Sequence, residues 1–145
     1  MALAVTITTI CSTEAAAQDA VYHARPGSRA PFSPAVRAGD LIFVSGQIGA
    51  ASDGSVPPAM ADQARLAMEN VRSALTLAGA GMDDVVKCTV MLADMRQWTA
   101  FNQVYVGYFK PGRLPARSAF GANGLAMNAG VEVECIAYKP LGQKR

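Results

Sequence analysis

The sequence holds few of the residues that build metal centres or disulfide frameworks. Its 145 residues include three cysteines and one histidine, which lie far apart at Cys11, His23, Cys88 and Cys135. Zinc and related metals are bound by closely spaced ligands, and neither a CxxC nor an HxxxH spacing occurs. The sequence therefore predicts no metal site, and its odd cysteine count argues against a disulfide framework.

Charged residues are also scarce, and neither sign dominates. Aspartate, glutamate, lysine and arginine make up 17% of the chain and give a formal net charge of +2. The basic residues are scattered from Arg25 to Arg145, whereas a nucleic-acid-binding protein carries them on one face. No apolar run approaches the roughly 20 residues of a transmembrane helix. We therefore expect neither a nucleic acid nor a membrane among the partners.

Apolar residues are abundant, at 51% of the sequence. A chain of this length buries roughly 70% of the surface that its unfolded state exposes, so a single domain is expected over residues 19–145. Residues 1–18 stand apart as an N-terminal extension or leader, because the apolar segment 2–10 precedes small residues at 15–17 where a signal peptidase could cut. The basic start of a secretory signal is missing. We expect a cytoplasmic protein, with export to the periplasm as the alternative if residues 1–17 are a leader.

The pattern of apolar and polar residues predicts the element order β-β-β-α-β-α-β-β. Segment 2–10 is a leading strand or a tail if it is not a leader. The later strands are 35–37, 41–48, 85–92, 116–122 and 131–138, and the helices are 60–78 and 96–109. The second helix is expected to bury a largely aromatic side, which comprises Trp98, Phe101, Val104, Tyr105 and Tyr108. Both helices follow strands, so at least one βαβ crossover is implied. The fold class is therefore α+β, with a single mixed β-sheet and both helices on one face of it.

Polar side chains mark the sheet face that the helices leave uncovered. In the last strand, alternation places Glu132 and Glu134 on that face, and Val131 and Val133 toward the helices. Arg117 lies on the preceding strand and falls near Glu132 if the two strands form a hairpin. A guanidinium among small and apolar residues is costly to bury without an anion. Two interpretations stay open: an ion pair with Glu132 or Glu134, or a fork that binds a substrate carboxylate.

Five segments carry a specific resemblance, in the order PFSPAVRAGDLIFVSGQIG, DDVVKCTVMLADM, FNQVYVGYF, PARSA and VEVECIA. From about Pro26 to Lys139 the chain resembles the reactive-intermediate deaminases (Rid or YjgF-type proteins), a family also labelled endoribonuclease L-PSP. The resemblance implies a chorismate-mutase-like fold and a homotrimer, in which the uncovered sheet faces meet and the active-site clefts lie between neighbouring subunits. It also implies hydrolysis of reactive 2-imino and 2-enamino acids to 2-keto acids and ammonia, without a cofactor.

The resemblance also assigns site residues, one position at a time. The arginine of PARS is Arg117, which would bind the substrate carboxylate, and the glutamate fifteen residues on is Glu132, which would orient or activate water. Gly46 in SGQI would offer its backbone N–H to the ligand, with Ser45 beside it, and Asn102 in FNxxY would lie near the pocket. Ser45 and Asn102 could instead cap backbone groups.

Two positions depart from many relatives and make the expected pocket less polar. Phe32 stands where many carry a tyrosine, and it keeps the ring but lacks the hydroxyl. Ala119 stands where many carry cysteine or threonine. A dedicated catabolic enamine deaminase of the aminomuconate type stays open beside general imine hydrolysis. So does a non-catalytic module that binds small keto acids or acts like a chaperone, which the less polar pocket favours. The dispersed charge gives no support to the endoribonuclease activity attached to some relatives.

Overall fold

The structure is a computed structural model that describes residues 19–142. Its strands are β1 (Val21–His23), β2 (Ala35–Ala38), β3 (Leu41–Ile48), β4 (Val85–Leu92), β5 (Ala116–Gly121) and β6 (Val131–Tyr138). Its α-helices are α1 (Met60–Leu77) and α2 (Trp98–Tyr105), and short 3₁₀ turns cover Met82–Asp84, Met95–Gln97, Val106–Tyr108 and Ala126–Asn128. The predicted element order is confirmed from β2 onward. The leader or leading strand expected in residues 1–18 lies outside the described residues.

The six strands form one mixed sheet in the order β1-β2-β3-β6-β4-β5. Strands β4 and β5 run parallel, joined by the predicted crossover through α2, and the other neighbours are antiparallel. The expected hairpin of the last two strands is wrong, because β4 lies between β5 and β6. Strand β6 buries every second side chain and lies inside the sheet. Strand β5 has six residues, is largely exposed and forms an edge.

The two helices pack together on the same face of the sheet, as predicted, and enclose the core there. The end of α1 follows directly from its sequence. Gly79 adopts the left-handed conformation with φ 72°, which a residue with a Cβ rarely adopts. The N–H of Ala80 then donates to the carbonyl of Leu75 at 2.9 Å, the arrangement that closes many helices.

Helix α2 is shorter than the predicted segment 96–109, because 3₁₀ turns replace its first and last turns. The Asp94 carboxylate accepts from the N–H of Arg96 at 2.9 Å and starts the first of these turns. Phe101 and Tyr105 remain buried on the side that faces the sheet. The aromatic face expected of this segment is therefore present, although the regular helix covers only its middle.

A disulfide joins Cys88 of β4 to Cys135 of β6, which contradicts the expectation from the odd cysteine count. The two residues lie 47 apart in sequence, yet the antiparallel register places them directly opposite each other. Both are buried in the core. The count was a poor guide because pairing depends on strand register, and the third cysteine, Cys11, lies outside the described residues.

The other face of the sheet has no helix over it within residues 19–142. Glu132, Glu134 and Ile136 lie on this face, as the alternation predicts. Phe43, paired with Ile136, is 43% exposed there. An uncovered face that combines carboxylates with exposed apolar side chains is typical of a surface that binds a partner.

Candidate active site

Arg117 lies on the edge strand β5 with its side chain on the helix-covered face. Its partner on β4 is Cys88, which is buried beneath the helices. Side chains of directly paired residues on neighbouring strands point to the same face. The guanidinium therefore lies against α2, and the expectation that it falls near Glu132 is wrong.

An amide and two aromatic rings of α2 hold the guanidinium. Its Nη1 donates to Oδ1 of Asn102 at 2.7 Å. Its central carbon lies 4.4 Å from the ring centroid of Trp98 and 4.5 Å from that of Tyr105. Across residues 19–142, no carboxylate lies within ion-pair distance of Arg117. The ion pair with Glu132 or Glu134 is therefore absent, and this cation is held by neutral groups alone.

Glu132 lies on the uncovered face, between Ile48 of β3 and Met91 of β4. Its carboxylate lies directly over Gly46, where a Cβ would collide with the carboxylate oxygen. Gly46 belongs to a bulge in β3 between Val44 and Gln47. The bulge brings backbone and carboxylate together, and only a glycine leaves room for that approach.

Ser45, in the same bulge, uses its hydroxyl on the backbone. Its Oγ donates to the carbonyl of Ser33 at 2.7 Å, and its N–H donates to the carbonyl of Pro34 at 3.1 Å. Ser45 thus ties the segment before β2 to the bulge. Of the two roles considered for its side chain, backbone capping is the one observed.

Phe32 lies in that tethered segment and is 58% exposed. It lines an open cavity of about 480 Å³ together with Gly46, Ile48, Arg25 and Met127. The cavity gives a ligand access to the backbone of the bulge. Because the phenylalanine ring carries no hydroxyl, the wall of the cavity at this point is apolar.

The expected site residues thus fall into two groups on opposite faces of the sheet. The arginine group comprises Arg117 and Asn102, with Ala119 two residues further along β5 and packed against the core. The glutamate group comprises Glu132, Gly46 and Ser45. Phe32 lies beside this group, in a cavity that Gly46 shares with Asn70 and Ser73 of α1. Within one protomer the sheet separates the groups, so no small molecule can contact Arg117 and Glu132 of the same chain by crossing it.

Trp98 and Tyr105 were expected only as part of the buried side of the second helix, and their contact with Arg117 was missed. They lie seven residues apart, which places them two turns apart on the same side of α2, with Asn102 between them. That spacing around FNxxY is the sequence signal that could have identified them. Burial raises the pKa of the Tyr105 hydroxyl to about 12, against the opposing effect of the Arg117 charge. Tyr105 is therefore neutral at physiological pH.

The described residues contain no group of three or more histidine, cysteine, aspartate or glutamate side chains that could hold a metal ion. Over the same residues, neither helix has the length and apolar character needed to cross a membrane.

Known proteins resemble this chain in sequence and in fold. The 2-iminobutanoate/2-iminopropanoate deaminase of Mus musculus is 39% identical over 116 residues, which are 79% of this chain and 85% of that protein. Reactive Intermediate Deaminase A (chloroplastic) of Arabidopsis thaliana is 37% identical over 114 residues, which are 77% of this chain and 60% of that protein.

Two solved structures extend the similarity to three dimensions. E. coli TdcF with bound serine has a TM-score of 0.75 and 31% identity, with 82% of this chain and 98% of that chain covered. The YjgF gene product of E. coli has a TM-score of 0.72 and 33% identity, with coverage of 78% and 91% respectively. A sequence profile of the family described as endoribonuclease L-PSP matches residues 22–139. The chain therefore belongs to the endoribonuclease L-PSP family, which includes the Rid (YjgF-type) deaminases.

Proposed function

We propose that this protein hydrolyses reactive 2-imino and 2-enamino acids to 2-keto acids and ammonia. The observation that carries the proposal is the environment of Arg117, a half-buried guanidinium without a carboxylate partner among the described residues. A cation held in this way is suited to bind the carboxylate of a small acid. Relatives named as imine deaminases support the same chemistry.

The complete site is proposed to form between copies of the chain. Arg117 lies at the β5 edge on one face, and Glu132 lies on the other face together with exposed apolar side chains. A second copy that places its β5 edge against the uncovered face would bring its arginine group to the glutamate group. This contact joins two different surfaces of the chain and is therefore heterologous, and such contacts can close a ring. The ring that we propose is the homotrimer that the family resemblance implies.

The proposed reaction needs positioning and one proton relay. Arg117 of one copy binds the substrate carboxylate, and the backbone at Gly46 of the neighbour fixes the imine beside Glu132. Water adds to the C2 carbon while Glu132 accepts a water proton and passes it to the nitrogen. Glu132 then accepts the hydroxyl proton of the carbinolamine and delivers it to the amino nitrogen, and the C–N bond breaks as ammonia leaves and the C=O of the keto acid forms. None of these steps requires a cofactor.

The test is the rate at which imines disappear. An amino-acid oxidase generates the imine from an amino acid, and keto acid formation is followed with and without the protein. We expect Arg117→Ala to lower kcat/KM by roughly 100-fold or more, because a charge-assisted pair with the carboxylate is lost. Glu132→Gln should cost less than Arg117→Ala if placement of the water matters more than proton transfer, since an amide still binds water but does not accept its proton. Arg65→Ala, on the exposed side of α1, is the matched control. Wild-type activity in Arg117→Ala would contradict the proposal.

A second candidate is a module that binds keto acids without turnover. The apolar Phe32 and Ala119 favour it, because neither supplies a hydroxyl or thiol to place water. Binding of 2-ketobutyrate without faster imine decay would identify this function. A substrate panel that includes aminomuconate-type enamines tests whether the protein is instead a dedicated catabolic deaminase.

The disulfide bears on where the protein works. We infer from the Cys88–Cys135 disulfide that the protein is exported rather than cytoplasmic, because cytosolic thiols are kept reduced. Mass spectrometry of the protein from its native host would report the mature N-terminus and the thiol count. Reduced cysteines together with an intact N-terminus would contradict export.

A further inference from the structure

The Arg117 guanidinium packs against two rings that belong to the same helix. Trp98 and Tyr105 lie two turns apart along α2, about 10 Å of helix rise. The guanidinium carbon is within 4.5 Å of both ring centroids. The guanidinium therefore lies over both rings. We call Trp98 and Tyr105 the ring pair.

The ring pair controls how a ligand can reach the cation. A planar guanidinium that lies over two rings offers a ligand chiefly the edge that carries its N–H groups. On that edge, one Nη1 proton is already donated to Asn102 at 2.7 Å. The N–H groups that remain lie in one plane, which is the geometry that a carboxylate needs to accept two parallel hydrogen bonds. The ring pair and Asn102 therefore fix the plane and rotation in which a carboxylate can bind.

We propose that Trp98 and Tyr105 are positioning residues, which hold Arg117 edge-on for the carboxylate of the substrate. The inference rests on the proposed function for the identity of the ligand. Tyr105 is almost wholly buried and forms the inner wall, whereas Trp98 is half-buried and forms the outer one. Removal of the outer ring would free the guanidinium to turn toward solvent. The substrate would then bind more weakly, although the reacting atoms keep the same neighbours.

The chain provides its own reporter for this arrangement, since Trp98 is the sole tryptophan. A carboxylate bound at the edge of Arg117 changes the charge directly beside the indole. We expect 2-ketobutyrate, a stable keto acid, to change the Trp98 fluorescence in a saturable way. The Arg117→Lys variant keeps the charge but has no planar fork. It should reduce the affinity in this titration by about tenfold or more.

Kinetics separate positioning from a merely structural role. Trp98→Leu should raise KM for the imine by about tenfold with little change in kcat, because a guanidinium–ring contact supports substrate and transition state alike. Trp98→Phe, which retains a ring face, should restore most of the affinity. Tyr108→Leu is the matched control, because Tyr108 stacks with Arg72 at 5.0 Å, away from Arg117. Thermal unfolding of each variant shows whether it is folded.

The outcomes distinguish this inference from the proposed function. Normal KM in a folded Trp98→Leu, or normal affinity in Arg117→Lys, would overturn the ring pair's role and leave imine hydrolysis intact. If the wild-type protein binds 2-ketobutyrate with the expected signal but does not accelerate imine decay, the positioning role stands and the hydrolase proposal fails. Absence of both signal and activity would overturn both.

Discussion

Gly46 is the residue at which the glutamate group is packed most tightly. Its position in the bulge of β3 leaves no space for a side chain below the Glu132 carboxylate. The neighbour in the way is the end of a flexible side chain, which can turn aside without moving the backbone. Gly49 is the opposite case, because a Cβ there would lie 2.6 Å from the backbone oxygen of Gln63. The two glycines therefore predict different consequences for function and for folding.

For Gly46→Ala we expect a loss of imine hydrolysis about as large as that of Glu132→Gln, with a stability change below about 1 kcal/mol. The added methyl displaces the carboxylate that orients water, whereas the fold adjusts around it. Gly49→Ala should instead lower the free energy of unfolding by about 1–3 kcal/mol. Gly107→Ala is the control, because nothing lies within 4 Å of its added Cβ. Full activity in Gly46→Ala would show that the Glu132 position is unimportant. Urea unfolding and the oxidase-coupled assay measure the two effects.

Tyr105 predicts a loss of stability at alkaline pH. Its folded pKa of about 12 lies above the ordinary value of 10 because burial disfavours the phenolate. Between these values the folded state retains a proton that the unfolded state has released, so the free energy of unfolding falls as pH rises through this window. The contribution is fully present below pH 10 and is lost above pH 12, and amounts to about 2–3 kcal/mol.

The Tyr105→Phe variant isolates this effect. At neutral pH its stability should equal or exceed that of the wild type, since the buried hydroxyl has no hydrogen-bond partner among the described residues. From pH 10 to pH 12 its free energy of unfolding should fall less steeply. Urea unfolding at several pH values compares the two proteins, with lysine titration common to both. Parallel curves would mean that Tyr105 titrates normally in the folded state.

At the scale of the elements, the disulfide is the strongest local constraint on the sheet. It closes a segment of 47 residues that includes α2 and β5. On loop entropy alone, its removal should lower the free energy of unfolding by about 4 kcal/mol. A reductant should produce this loss in the wild-type protein equilibrated in denaturant. The Cys88→Ala/Cys135→Ala double variant should have a lower free energy of unfolding than the wild type, and the reductant should not change it. The Cys11→Ser variant should respond to the reductant like the wild type. A wild type that ignores the reductant would show that the bond is absent in solution.

The sequence predicted the bounds of single strands better than it predicted which strands are neighbours in the sheet. Strands 41–48, 85–92 and 131–138 have the predicted bounds, because alternation and β-branched residues act locally. Strand β5 is at the edge because of the parallel crossover, and β6 lies inside the sheet between β3 and β4. Both placements are properties of the assembled sheet. The expected hairpin was wrong for this reason. The face of Arg117 follows from its pairing with Cys88, so the expected position near Glu132, which depended on the hairpin, was wrong as well.

At the scale of the whole molecule, one chain does not bring together Arg117 and Glu132, which the resemblance assigns to the same site. The sequence showed correctly that Glu132 faces away from the helices. The sequence did not indicate that Arg117 faces toward the helices. Strand β5 is short, and its alternating residues do not show which set points to the core. The proposed site, which uses both residues, therefore needs a second copy of the chain, and this part of the proposal can be tested without an assembled structure.

Subunit complementation provides that test. Arg117→Ala and Glu132→Gln are each expected to have low activity alone. When the two variants are co-expressed or refolded together in equal amounts, a site between copies takes Arg117 from one variant and Glu132 from the other. In a closed ring with random mixing, roughly a quarter of the sites then carry both native residues, and about that share of the wild-type rate should return. The double variant Arg117→Ala/Glu132→Gln mixed with either single variant is the control, because no site in that mixture is native. Sites built within one chain would give no recovery, and a monomer in sedimentation experiments would contradict the assembly directly.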